Sequence, residues 1–149
     1  MIRWVIASML LTLAVPVAAQ TPESRGAIEA AMKDSAEGWG AGDLDRFLRV
    51  YSNDPATSFT GSSGVIRGTA AIREQYIKNY SAVFGPTAER ASIPKLSFTY
   101  EDFRPIGTDH VQVIARWQLG AGEAMQTGMT TVLFRREPEG WRIVADHSS

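Results

Sequence analysis

The chain has 149 residues, 44% of them hydrophobic and 21% charged, the proportions of one soluble globular domain with a single core. Lys and Arg total 15 against 16 Asp and Glu, so no basic surplus points to nucleic acid or an anionic membrane as a partner. Cysteine is absent, which excludes disulfides and Cys-type zinc sites. Two histidines, His110 and His147, are a poor basis for a metal centre, and neither metal nor cofactor is expected.

The first nineteen residues differ from everything that follows. Arg3 supplies a positive start, Val5 to Val15 is almost wholly apolar, and Val17-Ala18-Ala19 matches the small-residue pattern that signal peptidase reads. Residues 1–19 are therefore expected to be a cleavable secretory signal. The mature domain is expected to span 20–149, in the periplasm or outside the cell. A membrane anchor needs about 20 apolar residues, more than this core offers, so none is expected in the mature chain.

Thr21 can cap and Pro22 suits a first helical position, while Ile28, Met32, Ser35 and Trp39 recur at helical spacing. Gly40 and Gly42 end that helix. Asp43 is a natural N-cap for a second helix, with Leu44, Phe47, Leu48 and Tyr51 on one face until Asn53-Asp54-Pro55. Two short extended runs around Gly61-Ser62-Ser63-Gly64 read as a hairpin. Thr69 is the expected cap of a third helix, which carries Ile72, Tyr76, Ile77, Tyr80, Val83 and Phe84 and stops at Gly85-Pro86.

Beyond Pro94 the period changes from 3.6 to 2. Four runs alternate apolar with polar residues: one through Leu96, Phe98 and Tyr100, then Val111–Leu119, Met125–Arg136 and Trp141–His147. Short Gly-rich turns join them, so an antiparallel meander is expected. Three N-terminal helices and a long antiparallel sheet make an α+β domain.

The order helix, helix, hairpin, helix, meander, with the phrases WGAGDLDRFLRVYSNDPATSF, IRGTAAIREQY and GWRIVADHSS, resembles the nuclear transport factor 2-like superfamily. Within it the chain resembles the ketosteroid isomerase-like branch, in the group known as DUF4440 or SnoaL-like. The resemblance covers roughly residues 24–149. It implies a cone-shaped fold in which a curved sheet wraps the helices and leaves an apolar pocket at its open end. It does not imply one reaction, since the group includes isomerases, cyclases, dehydratases, binding proteins and association domains.

In such a cone the candidate ligand-binding residues are Trp39, Tyr51, Phe59, Tyr76, Tyr80 and Trp117. Aromatic side chains at helical spacing also build ordinary cores, so each of these has a structural alternative. Alternation along the last strand places Trp141, Ile143, Ala145 and His147 on one face and Arg142, Val144 and Asp146 on the other. With Ile143 inward, His147 is expected to face the cone as the candidate catalytic acid–base residue, and Asp146 to point away. Asp43 and Asp54 read as cap and turn residues, Arg67 as solvated, and Arg116 as external if Trp117 is internal. Glu101 and Asp102 have no identifiable partner.

No Gly-rich phosphate loop, Gly-x-Ser-x-Gly elbow or His-Glu-x-x-His occurs, which argues against nucleotide enzymes and hydrolases. Two readings stand, and the sequence leaves open whether the chain is an enzyme. One is an exported pocket protein that binds a small amphipathic organic molecule and, if it is an enzyme, converts it. The other is a non-catalytic homodimeric association module built on the outer face of the meander.

Overall fold

The computed structural model describes residues 22–149. The expected signal at 1–19 and the Thr21 cap lie outside the described residues. Helix α1 (Pro22–Ala41) is followed by α2 (Leu44–Leu48), strands β1 (Ser58–Gly61) and β2 (Gly64–Arg67), α3 (Thr69–Asn79) and α4 (Ser81–Phe84). Four long strands complete the domain: β3 (Leu96–Ile106), β4 (His110–Leu119), β5 (Gln126–Glu137) and β6 (Gly140–Ser148).

Helix α1 buries one stripe, Ser24, Ile28, Met32, Ser35 and Trp39, at the spacing that an amphipathic helix requires. The turn into α2 is tight because Gly38 lies against it: a Cβ at this position would stand 2.4 Å from the Phe47 backbone nitrogen. Asp43 caps α2 as its sequence suggests, its side chain accepting from the Arg46 N–H at 3.0 Å. The second helix is shorter than expected and ends at Leu48, so Tyr51 lies beyond it.

Two further expectations are corrected at the third helix. Its N-cap is Gly68, with Thr69 already inside the first turn, so no side chain caps it. It also breaks at Tyr80, where φ −126° and ψ 45° interrupt the ladder and α4 begins. The stripe expected along one helix is thereby divided between two.

All six strands form one sheet in the order β2-β1-β6-β5-β4-β3. Strands β3 to β6 are the expected antiparallel meander, and β1 joins it by pairing parallel to β6, with Phe59 opposite Asp146. Just before β1 the chain touches β6 once already. Tyr51 bridges Ile143, the Ile143 N–H donates to the Val50 carbonyl at 2.8 Å and the Ser52 N–H to the Ile143 carbonyl at 2.9 Å. This double attachment ties the segment after α2 to the last strand.

The concave face and the helices enclose the core, in which Ile28, Ile72, Val113, Val132 and Phe134 are almost fully buried. At about 1.5–3 kcal/mol for each fully buried large apolar side chain, this seam between helices and sheet supplies most of what holds the cone closed. A shift of register leaves Glu101 unpaired between Tyr100 and Asp102 in β3, and a second leaves Val144 unpaired between Ile143 and Ala145 in β6. Each is a β-bulge, and each reverses which side chains face inward beyond it.

Candidate functional site

The cone opens into a cavity of about 370 Å³ between the helices and the concave side of the sheet. Trp39 and Phe47 come from α1 and α2, Tyr76 from α3, Tyr80 from the break after it, and Phe59 from β1. These rings form one connected set. Trp39 meets Phe47 at 5.5 Å and Tyr80 at 5.0 Å edge to face, Phe47 meets Tyr76 at 4.7 Å, and Tyr76 stacks on Tyr80 at 5.6 Å. Trp39 is fixed by its indole N–H, which donates to the Pro94 carbonyl at 3.0 Å. Trp117 stands on the opposite wall.

Trp117 lies flat against Gly128, its cross-strand neighbour on β5. A Cβ at Gly128 would run into the Ser149 carbonyl oxygen and stand 2.5 Å from Cζ2 of that indole, so the Ser149 backbone and the ring together need a residue without a side chain there. Its N–H donates to the Ser149 carbonyl at 3.2 Å. Trp39, Tyr51, Phe59, Tyr76, Tyr80 and Trp117, the six aromatic residues singled out from sequence, thus all border the cavity.

His147 does not. The bulge at Val144 adds one residue to β6 opposite the Leu133–Phe134 step, so Ala145 pairs with Leu133 and Asp146 with Val132. Val132 is inward, hence Asp146 is inward, and His147, opposite Thr131, is exposed on the other side. The expectation that His147 shares the inward face of Ile143 is therefore corrected, because simple alternation cannot register an inserted residue. Asp146 occupies the place foreseen for the histidine.

Asp146 is 7% exposed, among the least accessible charged side chains described. Tyr51 donates its hydroxyl to Oδ2 at 2.6 Å, while Thr130 and Ser148 donate to Oδ1 at 3.1 and 2.8 Å. The Tyr76 hydroxyl interacts in turn with that of Tyr51. Burial raises the Asp146 carboxyl above its ordinary range, and the hydroxyls of Tyr51, Ser148 and Thr130 oppose the rise, as does the charge of His147 to the smallest extent. Burial also pushes the Tyr51 phenol well above its ordinary value, and the charge of Asp146 adds to that. Tyr76 is raised for the same two reasons.

The result is a carboxyl group at the wall of an apolar cavity, held by three hydroxyls and poised to keep a proton longer than an exposed aspartate does. Among the described residues no Lys, Arg or His side chain borders this cavity, and no group of three or more His, Cys, Asp or Glu side chains is placed to hold a metal ion. One signal in the sequence could have found the site: Asp146 and Ser148 stand at i and i+2 and share a face, with polar Thr130 as a second partner.

The other charged residues singled out from sequence lie away from the cavity. Asp54 accepts from the Ala56 N–H at 2.8 Å and pairs with Arg135 at 3.2 Å, which also pairs with Glu137 at 2.7 Å. Glu101, exposed at its bulge, pairs with Arg116 at 3.3 Å, and Asp102 pairs with Arg104 at 3.1 Å. Arg116 lies on the outer face and Arg67 is exposed, as expected. His110 opens β4 and contacts Asp109 at 2.8 Å.

A curved sheet wrapped around helices, with a pocket in its mouth, defines the nuclear transport factor 2-like, ketosteroid isomerase-like fold. Within it the chain belongs to the SnoaL-like domain family, whose profile matches residues 28–149. A similar solved structure is a nuclear transport factor 2-like protein of unknown function from Shewanella oneidensis, 26% identical, with a TM-score of 0.72 over 84% of this chain and 98% of that one. A ketosteroid isomerase-like protein from Erwinia carotovora, 14% identical, gives a TM-score of 0.62 over 87% and 97% of the two chains. The latter likeness is one of fold alone. No curated protein matches the chain by sequence.

Proposed function

We propose that the protein binds a small amphipathic organic molecule in the cone, its apolar body against the aromatic wall and its polar end at Asp146. The observation that carries this reading is the pairing of a cavity of about 370 Å³ with a single buried carboxyl among its lining side chains. Sites for small molecules are concave and mostly apolar, with a few polar groups that set orientation, and carboxyls displaced from their ordinary range gather there. Asp146, rather than His147, is the group placed to exchange a proton with a bound molecule if the protein is an enzyme. Native mass spectrometry of the purified protein tests the reading: a bound small molecule lost on denaturation, and depleted in Trp39→Ala, supports it, and an empty cavity together with no binding to any member of an amphipathic library counts against it.

A second reading rests on the outer face of the meander. Ile114, Met129 and Leu133 lie there, half-buried beside Thr131 and Ala145, and form an apolar band suited to a second copy of the chain. Light scattering at micromolar concentration decides it, and a monomer at every concentration removes it. We further propose export with cleavage between Ala19 and Gln20, tested by N-terminal sequencing of the secreted protein; mature protein that retains Arg3 overturns this.

A further inference from the structure

We infer that the cavity selects its occupant by charge: it takes a molecule that carries a protonated amine on an aromatic-sized body, and it rejects a carboxylate of the same shape. This rests on reading the cavity as a small-molecule site.

The first support is the balance of charge around Asp146. Four elements face it, contributing Tyr51 after α2, Tyr76 from α3, Thr130 from β5 and Ser148 from β6, and none of the four is cationic. The neighbouring imidazole, His147, stands on the other side of the sheet. Among the described residues no positive side chain borders the cavity at all. A carboxylate taken from water into such a place is stabilised by its hydrogen bonds but faces no countercharge from that wall. An ammonium group supplies the countercharge, whereas a second carboxylate adds repulsion in a medium that screens it poorly.

The second support is the count of acceptor positions. A carboxylate offers about four. Thr130 and Ser148 both address Oδ1, and Tyr51 alone addresses Oδ2. The open position is therefore on Oδ2, beside the Tyr51 and Tyr76 hydroxyls, and it calls for a donor. Tyr51 has committed its own proton to Asp146. An ammonium brings three donors and no acceptor; a carboxylate brings acceptors only.

The third support is the rings that border the same cavity as Asp146. Phe59 is the residue paired with Asp146 across the parallel β1–β6 ladder, and it meets Tyr76 at 5.9 Å between ring centres. Aromatic faces attract cations, and a desolvated setting strengthens the attraction. Carboxyl group, open acceptor position and rings thus converge on one small region of the wall.

The test uses three probes of one shape on the full mature domain: 1-naphthylmethylamine, 1-naphthalenemethanol and 1-naphthoate, titrated by calorimetry at pH 7. The amine is expected to bind about tenfold tighter than the alcohol, and the carboxylate about tenfold weaker than it, the scale of one charge-assisted hydrogen bond made or one repulsion incurred. Asp146→Asn is expected to bring amine and alcohol within about threefold of each other while alcohol binding persists. Equal binding of all three probes, or tightest binding of the carboxylate, overturns the inference and leaves the small-molecule reading standing. An amine preference that survives in D146N also overturns it, because the selectivity would then come from elsewhere. Binding of none of the three overturns the reading and the inference together. The ranking on the unsubstituted protein decides the matter if D146N does not fold.

Discussion

Replacing Tyr51 by phenylalanine removes one oxygen from the centre of the Asp146 cluster and changes little else. The ring remains, so no cavity opens; what is lost is the 2.6 Å hydrogen bond to Oδ2 together with the contact to the Tyr76 hydroxyl. A hydrogen bond to a charged group contributes about 1.5–3 kcal/mol, and the carboxyl that loses it stays buried. For a domain of roughly 130 residues the unfolding entropy makes each kcal/mol worth about 4 °C, so Y51F is expected to melt about 6–11 °C below the parent at pH 7. Urea titration should show the same loss as a lower midpoint with an unchanged slope. The deficit should shrink in acid, where a protonated Asp146 no longer demands a donor at Oδ2. Melting within 2 °C of the parent at pH 7 would refute the reasoning, since it would mean that the Tyr51–Asp146 hydrogen bond contributes almost nothing.

Asp146 also fixes the sign of a pH effect. Its folded carboxyl is raised above the ordinary 3.8, so the native state holds a proton that the unfolded chain has released. The stability from this group is complete below the ordinary aspartate range and is lost as the pH rises through the folded value, so the parent should lose ground to D146N on going from pH 4 to pH 7. Asp54 and Glu137 are lowered instead and act in the opposite sense, but they act alike in both proteins and cancel from the comparison of melting curves. Gly128→Ala should destabilise by about 1–3 kcal/mol through collisions with the Ser149 carbonyl oxygen and the Trp117 ring, read by urea titration and by a shift in indole fluorescence; parental stability would show that the Ser149 backbone and the ring both move freely. His147→Ala should leave both ligand affinity and melting temperature within error, because the imidazole is exposed on the outer face, and a loss of affinity there would return the histidine to the site.

Features set by neighbouring residues were open to reading in the sequence. The Asp43 cap, the stripe through Ile28, Met32, Ser35 and Trp39, and the turns of the meander depend on side chains a few positions apart, and they lie where the pattern puts them. The six aromatic residues of the cavity wall follow from those stripes once the fold is known. The parallel pairing of β1 with β6 joins residues almost ninety apart, which no local periodicity encodes. The chemistry of the wall was hidden for a related reason: the bulge in β6 is a relation between two strands, and Val144 carries no mark of being the residue left over. Counting by twos from Ile143 therefore selects His147 and passes over Asp146.

The bulge at Val144 also makes the site's chemistry depend on strand pairing rather than on composition. With Val144 set outside the ladder, Ala145 meets Leu133 and Asp146 meets Val132, so an in-frame deletion of Val144 would iron out the bulge and leave every later pair as it stands. Were Val144 instead drawn into the ladder opposite Leu133, Asp146 would pass to the outside opposite Thr131 and His147 to the inside opposite Thr130, and an acid facing the cavity would give way to an imidazole. A substitution can only delete or blunt the carboxyl; a one-residue shift of pairing exchanges it for a different acid–base group already present next to it in the chain. In this fold, the pairing of one residue in the last strand separates two kinds of pocket.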